Sequence, residues 1–101
     1  MHIDTLKVFC DVVDTRSFSE AARLNRVTQS AISQQIRALE KRFAQKLLDR
    51  APRAIQPTAA GEKLYEAARA VLAQYERLLE VMREQSDEAM GTVTIATIHS
   101  V

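Results

Sequence analysis

Two stretches of helical periodicity separated by only three residues constrain this chain more than any other feature. In "SFSEAARLNRVTQSAISQQIRALEKRF", Ser17 to Phe43, the helical pattern lies on both sides of Asn25-Arg26-Val27. Ser17 followed three residues later by Glu20 has the spacing of a capping box: the hydroxyl accepts from a free backbone N–H and the carboxylate reaches back. This predicts a short helix from about Phe18 to Leu24. Thr28 is placed to cap a longer one, about Gln29 to Phe43. Ala21 and Ala22 lack bulk, so another helix can approach closely there. A short helix, a tight turn and a longer helix give the outline of a helix-turn-helix.

The longer helix has two unlike faces. Ile32, Ile36, Leu39 and Phe43 fall at spacings of four, three and four, a stripe for burial. The opposite face carries Ser30, Ser33, Gln34 and Arg37, with Gln29 just before them, instead of the Glu/Lys mixture that usually solvates a helix. Such a face either stays hydrated or is offered to a partner with hydrogen-bonding edges.

Around this unit the pattern is mainly helical, with only two Gly and two Pro in 101 residues. A first helix is expected from about Asp4 to Asp14, burying Leu6, Phe9, Cys10 and Val13. Leu47-Leu48 and Ala54-Ile55 flank a polar turn with Pro52 and predict a short β-hairpin. A helix-turn-helix followed by such a hairpin is a winged helix-turn-helix. From Thr58 to about Asp87 runs a longer helix, with Leu64, Ala68, Val71, Tyr75, Leu78 and Met82 at the 3.5-residue repeat of a coiled-coil seam. A seam without a second long helix in the chain points to another copy as its partner, hence a homodimer. Gly91 is expected to end this helix, and the β-branched run from Thr92 to Ile98 to form one strand. The expected organisation is a winged helix-turn-helix domain at 1–58, a linker and dimerisation helix at 59–90, and at 91–101 the start of a truncated further domain.

Charge divides along the same boundary. Residues 1–58 hold ten Lys/Arg against six Asp/Glu, and residues 59–101 hold four against seven. The basic half is the one expected to meet a polyanion. No apolar run approaches membrane-spanning length and no signal-peptide pattern opens the chain, so a cytoplasmic location and no membrane contact are expected. Cys10 has no second cysteine to pair with and reads as a small buried hydrophobe. His2 and His99 lack metal-ligand spacing with other side chains, and no serine has a histidine within plausible reach. An enzyme is not expected.

The runs "LKVFCDVVDTRSFSEAARLNRVTQSAISQQIRALEKRF" and "KLLDRAPRAIQPTAAG" resemble the N-terminal DNA-binding domain of LysR-type transcriptional regulators. "SFSEAA", "VTQSAISQQIRALE", "LLDR" and "PTAAG" stand in the family's order and spacing, and the likeness covers nearly all of residues 1–98. It implies a winged helix-turn-helix with antiparallel linker helices, and a tetramer once the effector-binding domain is present. It further implies binding to interrupted palindromes near promoters under small-molecule control. No cofactor is expected in this fragment, and an effector is expected for the full-length protein. Ser30 stands where the family often has Pro, Gln34 where Arg or Lys is frequent, Ala44 where Gly is usual, and Leu48 where Phe is frequent.

Double-stranded DNA is therefore the expected partner. Gln29, Ser30, Ser33 and Gln34 are the candidates for base edges, since Gln can present both an amide and a carbonyl to adenine. Arg53 of the wing is the candidate for the minor groove. Ser17, Thr28, Arg37 and Arg50 are candidates for phosphate, although Ser17 and Thr28 can equally be caps alone, Arg37 a solvated partner of Glu40 and Arg50 a partner in the neighbourhood of Asp49. The competing reading is a winged helix that docks a protein through the same Ser/Gln face.

Overall fold

The computed structural model describes residues 1–51 and 54–93. Its order is α1 (Ile3–Thr15), α2 (Phe18–Asn25), α3 (Gln29–Phe43), β1 (Leu48–Ala51), β2 (Ala54–Pro57) and α4 (Ala59–Val93). β1 and β2 pair antiparallel, from Leu48 opposite Pro57 to Ala51 opposite Ala54. The fold is the expected winged helix-turn-helix followed by a long helix.

How the helices stop explains how so few glycines suffice. α1 ends on Arg16, α2 on Arg26 and α3 on Ala44, each in the left-handed region at φ 57°, 56° and 55°. At the end of α2, the Arg26 N–H donates to the Arg23 carbonyl and the Val27 N–H to the Ala22 carbonyl. This pair of bonds is a Schellman motif. The Thr28 hydroxyl then accepts from the Ala31 N–H at 3.0 Å, starting α3 at once. A closing motif followed directly by a cap makes the three-residue turn possible.

Asn25 fastens the same turn to α1. Its amide donates to Asp11 Oδ2 at 2.9 Å and to the Ala21 carbonyl at 2.8 Å, while its carbonyl accepts from Lys7 at 3.2 Å. Lys7 also pairs with Asp11 at 2.8 Å.

The core lies where α1, α2, α3 and the wing root converge. Phe9, Val12, Ala21, Ile32, Ile36, Leu39, Leu47 and Leu48 are buried there. Phe43, expected on the buried stripe, is instead 38% exposed. It is the last residue of α3, one turn beyond Leu39, and belongs to neither buried cluster.

The capping box is half formed. Ser17 Oγ accepts from the Glu20 N–H at 3.0 Å, but the Glu20 carboxylate turns outward to Arg23 and the Ser17 N–H donates to Thr15 Oγ1. The Arg23 guanidinium beside Glu20 holds its carboxyl below the usual carboxylate range and is itself raised by that partner.

α4 begins at a close backbone contact. The Thr58 N–H donates to the Leu47 carbonyl at 3.0 Å, and the Thr58 hydroxyl caps the Gly61 N–H at 3.0 Å. A Cβ on Gly61 would lie 2.0 Å from that carbonyl oxygen. Further along, Ala68 is 1% exposed beneath Leu6 and Cys10 of α1, and Leu64 packs on both clusters. Two positions read as dimer seam thus serve the chain's own fold, because α1 lies across them. Val71, Tyr75, Leu78 and Met82 of the same stripe are exposed. α4 continues through Gly91 to Val93 rather than ending there; glycine within a helix costs about 1 kcal/mol but does not terminate it. The remainder of the expected strand, from residue 94 onward, lies outside the described residues.

Candidate nucleic-acid interface

The first turns of α3 present the side chains that the sequence singles out. Gln29, Ser30 and Gln34 are exposed and Ser33 is half-buried, while Ile32 and Ile36 behind them are buried. The polar groups therefore stand on a helix fixed from behind, the arrangement that preorganises hydrogen-bonding groups for a rigid partner. Arg37 continues the same side and is exposed. Among the described residues it enters no ion pair, so the expected alternative of a pair with Glu40 is not formed.

Thr28 and Ser17 are both caps. Capping uses a hydroxyl oxygen as acceptor and leaves its O–H free to donate, so a cap can also donate to an anion. Ser17 Oγ additionally lies 3.3 Å from Ser19 Oγ.

The wing is tied down at both strands. Arg50 of β1 stacks its guanidinium 5.0 Å from the centre of the Phe18 ring, a cation–π contact that orients it over the start of α2. Arg16 donates to the Ile55 carbonyl of β2 at 3.3 Å. Arg50 thus has a structural partner that sequence did not predict, yet its head is exposed. Arg53, the candidate for the minor groove, lies outside the described residues.

Glu40, given no role of its own by sequence, accepts from the N–H groups of Leu47 and Leu48. The Tyr65 hydroxyl donates to Asp14, which also faces Arg69 at 3.7 Å. The hydrogen bond to Asp14 raises the Tyr65 hydroxyl above its ordinary pKa. Contacts of this kind join residues far apart in the chain, and no local motif announces them. Among the described residues no group of His, Cys, Asp and Glu is placed to hold a metal. No helix there is long and apolar enough to cross a membrane.

A tightly turned helix pair, an exposed polar face on its second helix and a two-stranded wing define a winged helix-turn-helix of the kind found in bacterial regulators. The profile of the bacterial regulatory helix-turn-helix proteins of the lysR family matches residues 3–62, and the chain belongs to that family. It is 38% identical over 95 residues to the nitrogen assimilation regulatory protein nac of Escherichia coli K12, a match covering 94% of this chain and 31% of that protein. It is 34% identical over 101 residues to an HTH-type transcriptional regulator from the ibpB-leuC intergenic region of Azotobacter vinelandii, covering 100% of this chain and 70% of that one. The chain thus spans less than a third of the nac protein.

Among solved structures, the BenM DBD in complex with catB site 1 DNA superimposes with a TM-score of 0.80 at 28% identity, covering 83% of this chain and 93% of that one. The CbnR DBD–DNA complex gives 0.77 at 34% identity, covering 85% and 99%.

Proposed function

We propose that this chain binds double-stranded DNA sequence-specifically, as the DNA-binding part of a LysR-type transcriptional regulator acting on an interrupted palindrome near a promoter. The observation that carries this reading is the polar face of exposed Gln29, Ser30 and Gln34 with half-buried Ser33, on a helix whose other side is locked into the core. The DNA complexes of BenM and CbnR, similar over most of this chain, support it.

In this reading the first turns of α3 enter the major groove. Gln29 and Gln34 address adenine edges, and Ser30 and Ser33 donate or accept at their neighbours. Thr28, Ser17 and Arg37 hold phosphates that set the register. Arg50 contributes there while stacked on Phe18, and Arg53 carries the wing into the adjacent minor groove. Two copies, joined through α4, present two such helices to half-sites one helical turn or a multiple apart, about 34–36 Å per turn. The full-length protein assembles as a tetramer and answers to a small-molecule effector.

In-vitro selection from a random duplex library tests the reading directly. The wild-type chain should enrich an interrupted palindrome, with affinity falling steeply as salt rises because phosphate contacts release counterions. Gln34→Ala should relax an adenine preference at one position per half-site, a discrimination of about 1–3 kcal/mol. Failure to enrich any duplex, or salt-independent binding, refutes the proposal and favours protein docking.

A further inference from the structure

Glu40 sits on the second helix of the turn unit, facing the root of the wing. Its Oε2 accepts from the Leu47 N–H at 2.9 Å and the Leu48 N–H at 3.2 Å. These groups form the root of the wing. Leu48 opens β1 opposite Pro57, a residue with no N–H to contribute to the ladder. The Leu47 carbonyl accepts in turn from the Thr58 N–H, just before α4. The Leu47 and Leu48 side chains are buried, so the wing root is held by packing from within, by Thr58 on one side and by one carboxylate from α3 on the other.

Glu40 follows Ser33 by seven residues, two turns along nearly the same line of α3, or about 10 Å. The helix between them is continuous. The carboxylate that ties the wing root to this line therefore acts, beside the Arg16–Ile55 bond and the Arg50–Phe18 stack, on the separation between what the first turns of α3 touch and what the wing touches. A carboxylate suits this position because two N–H groups converge on one oxygen, and a charged acceptor makes the stronger bonds. Among the described residues Glu40 forms no ion pair, so no arginine competes for it.

We propose that Glu40 is a positioning residue for DNA recognition, holding the wing in register with α3 so that major-groove and minor-groove contacts form together. This rests on the DNA-binding reading above. It predicts a separation of two signals that a general loss of stability would move together.

The probe is the duplex enriched by the wild-type chain, footprinted at saturating protein with hydroxyl radical for the minor groove and dimethyl sulfate for the major groove. Glu40→Ala should lose flanking minor-groove protection at least fivefold while keeping the central major-groove pattern. Glu40→Gln, which retains a carbonyl acceptor, should restore most of it. Glu40→Asp, which keeps the charge but is one methylene shorter, should fall between. Circular dichroism at the working temperature identifies which variants are folded, and the Asp and Gln variants carry the test where the Ala variant is not. Wild-type flanking protection in the folded Asp and Ala variants, or parallel fading of both patterns in any folded variant, overturns the proposal. A wild-type chain that enriches no duplex overturns the DNA-binding reading first, and the positioning role with it.

Discussion

Ala44 closes α3 at φ 55°, a conformation in which a side chain crowds the following carbonyl. The Gln45 N–H reaches the Glu40 carbonyl and the Ala44 N–H the Lys41 carbonyl, the same motif that ends α2. Arg16 is also left-handed, but its side chain binds the wing; Ala44 is exposed. Ala44→Gly should therefore stabilise the chain by about 1 kcal/mol, the relief of left-handed strain less the added freedom of the unfolded glycine. A higher urea midpoint with an unchanged m-value is the expected result. Cys10 makes a second prediction. Burial raises its thiol to about 11, with Arg69 opposing and Asp14 and Asp11 adding to the rise. The unfolded thiol ionises near 9 while the folded one stays protonated, so the contribution is complete below pH 9 and is lost as pH rises through 11. The difference in alkaline stability between wild type and Cys10→Ala isolates this effect from the tyrosines and lysines. It should fall by on the order of 2 kcal/mol across that window.

At the scale of elements, the start of α4 is fixed by contact with backbone. Gly61 leaves only enough room for a hydrogen over the Leu47 carbonyl, and its φ is not in the left-handed region. Gly61→Ala, which favours a helix in isolation, should here destabilise by about 1–3 kcal/mol because backbone must move aside. Thermal melting of the variant checks the sign. Which elements form was legible in the sequence because their causes are local. Thr28 caps α3, the apolar spacing of α3 gives its buried face, and together they mark its bounds, Gln29 to Phe43. What was not legible depends on tertiary neighbours. Glu20 turns to Arg23, Glu40 serves the wing root, and Ala68 disappears beneath α1. The helix stops at Arg16 and Arg26 also escaped local reading, since neither residue type signals positive φ, whereas at Ala44 the family's usual Gly is the hint. On the candidate interface, sequence pattern selects the exposed α3 face, whereas the stacking of Arg50 on Phe18 required the fold.

The whole molecule is elongated, 58 × 25 × 20 Å, because α4 runs past the body of the domain. α1 covers the seam at Ala68, and beyond it Val71 is 45% and Leu78 53% exposed, with Tyr75 and Met82 beside them. Burying a side chain of this size fully contributes about 1.5–3 kcal/mol. Covering the exposed half of four on each of two chains is then on the order of 10 kcal/mol by the same scale. The loss of translational and rotational freedom on association costs about 4–15 kcal/mol. The two terms are close, so a dimer built on this stripe should not survive removal of half of it. The double variant Val71→Glu, Leu78→Glu puts charges on the stripe without weakening the helix, since Glu forms helix at least as well as Val. Circular dichroism should be unchanged, sedimentation should report a dimer for the wild type and a monomer for the variant, and affinity for a palindromic duplex should fall at least 100-fold. Affinity for an isolated half-site should change little, because α3 and the wing are untouched. A double variant that sediments as a dimer would show that the copies meet through another surface.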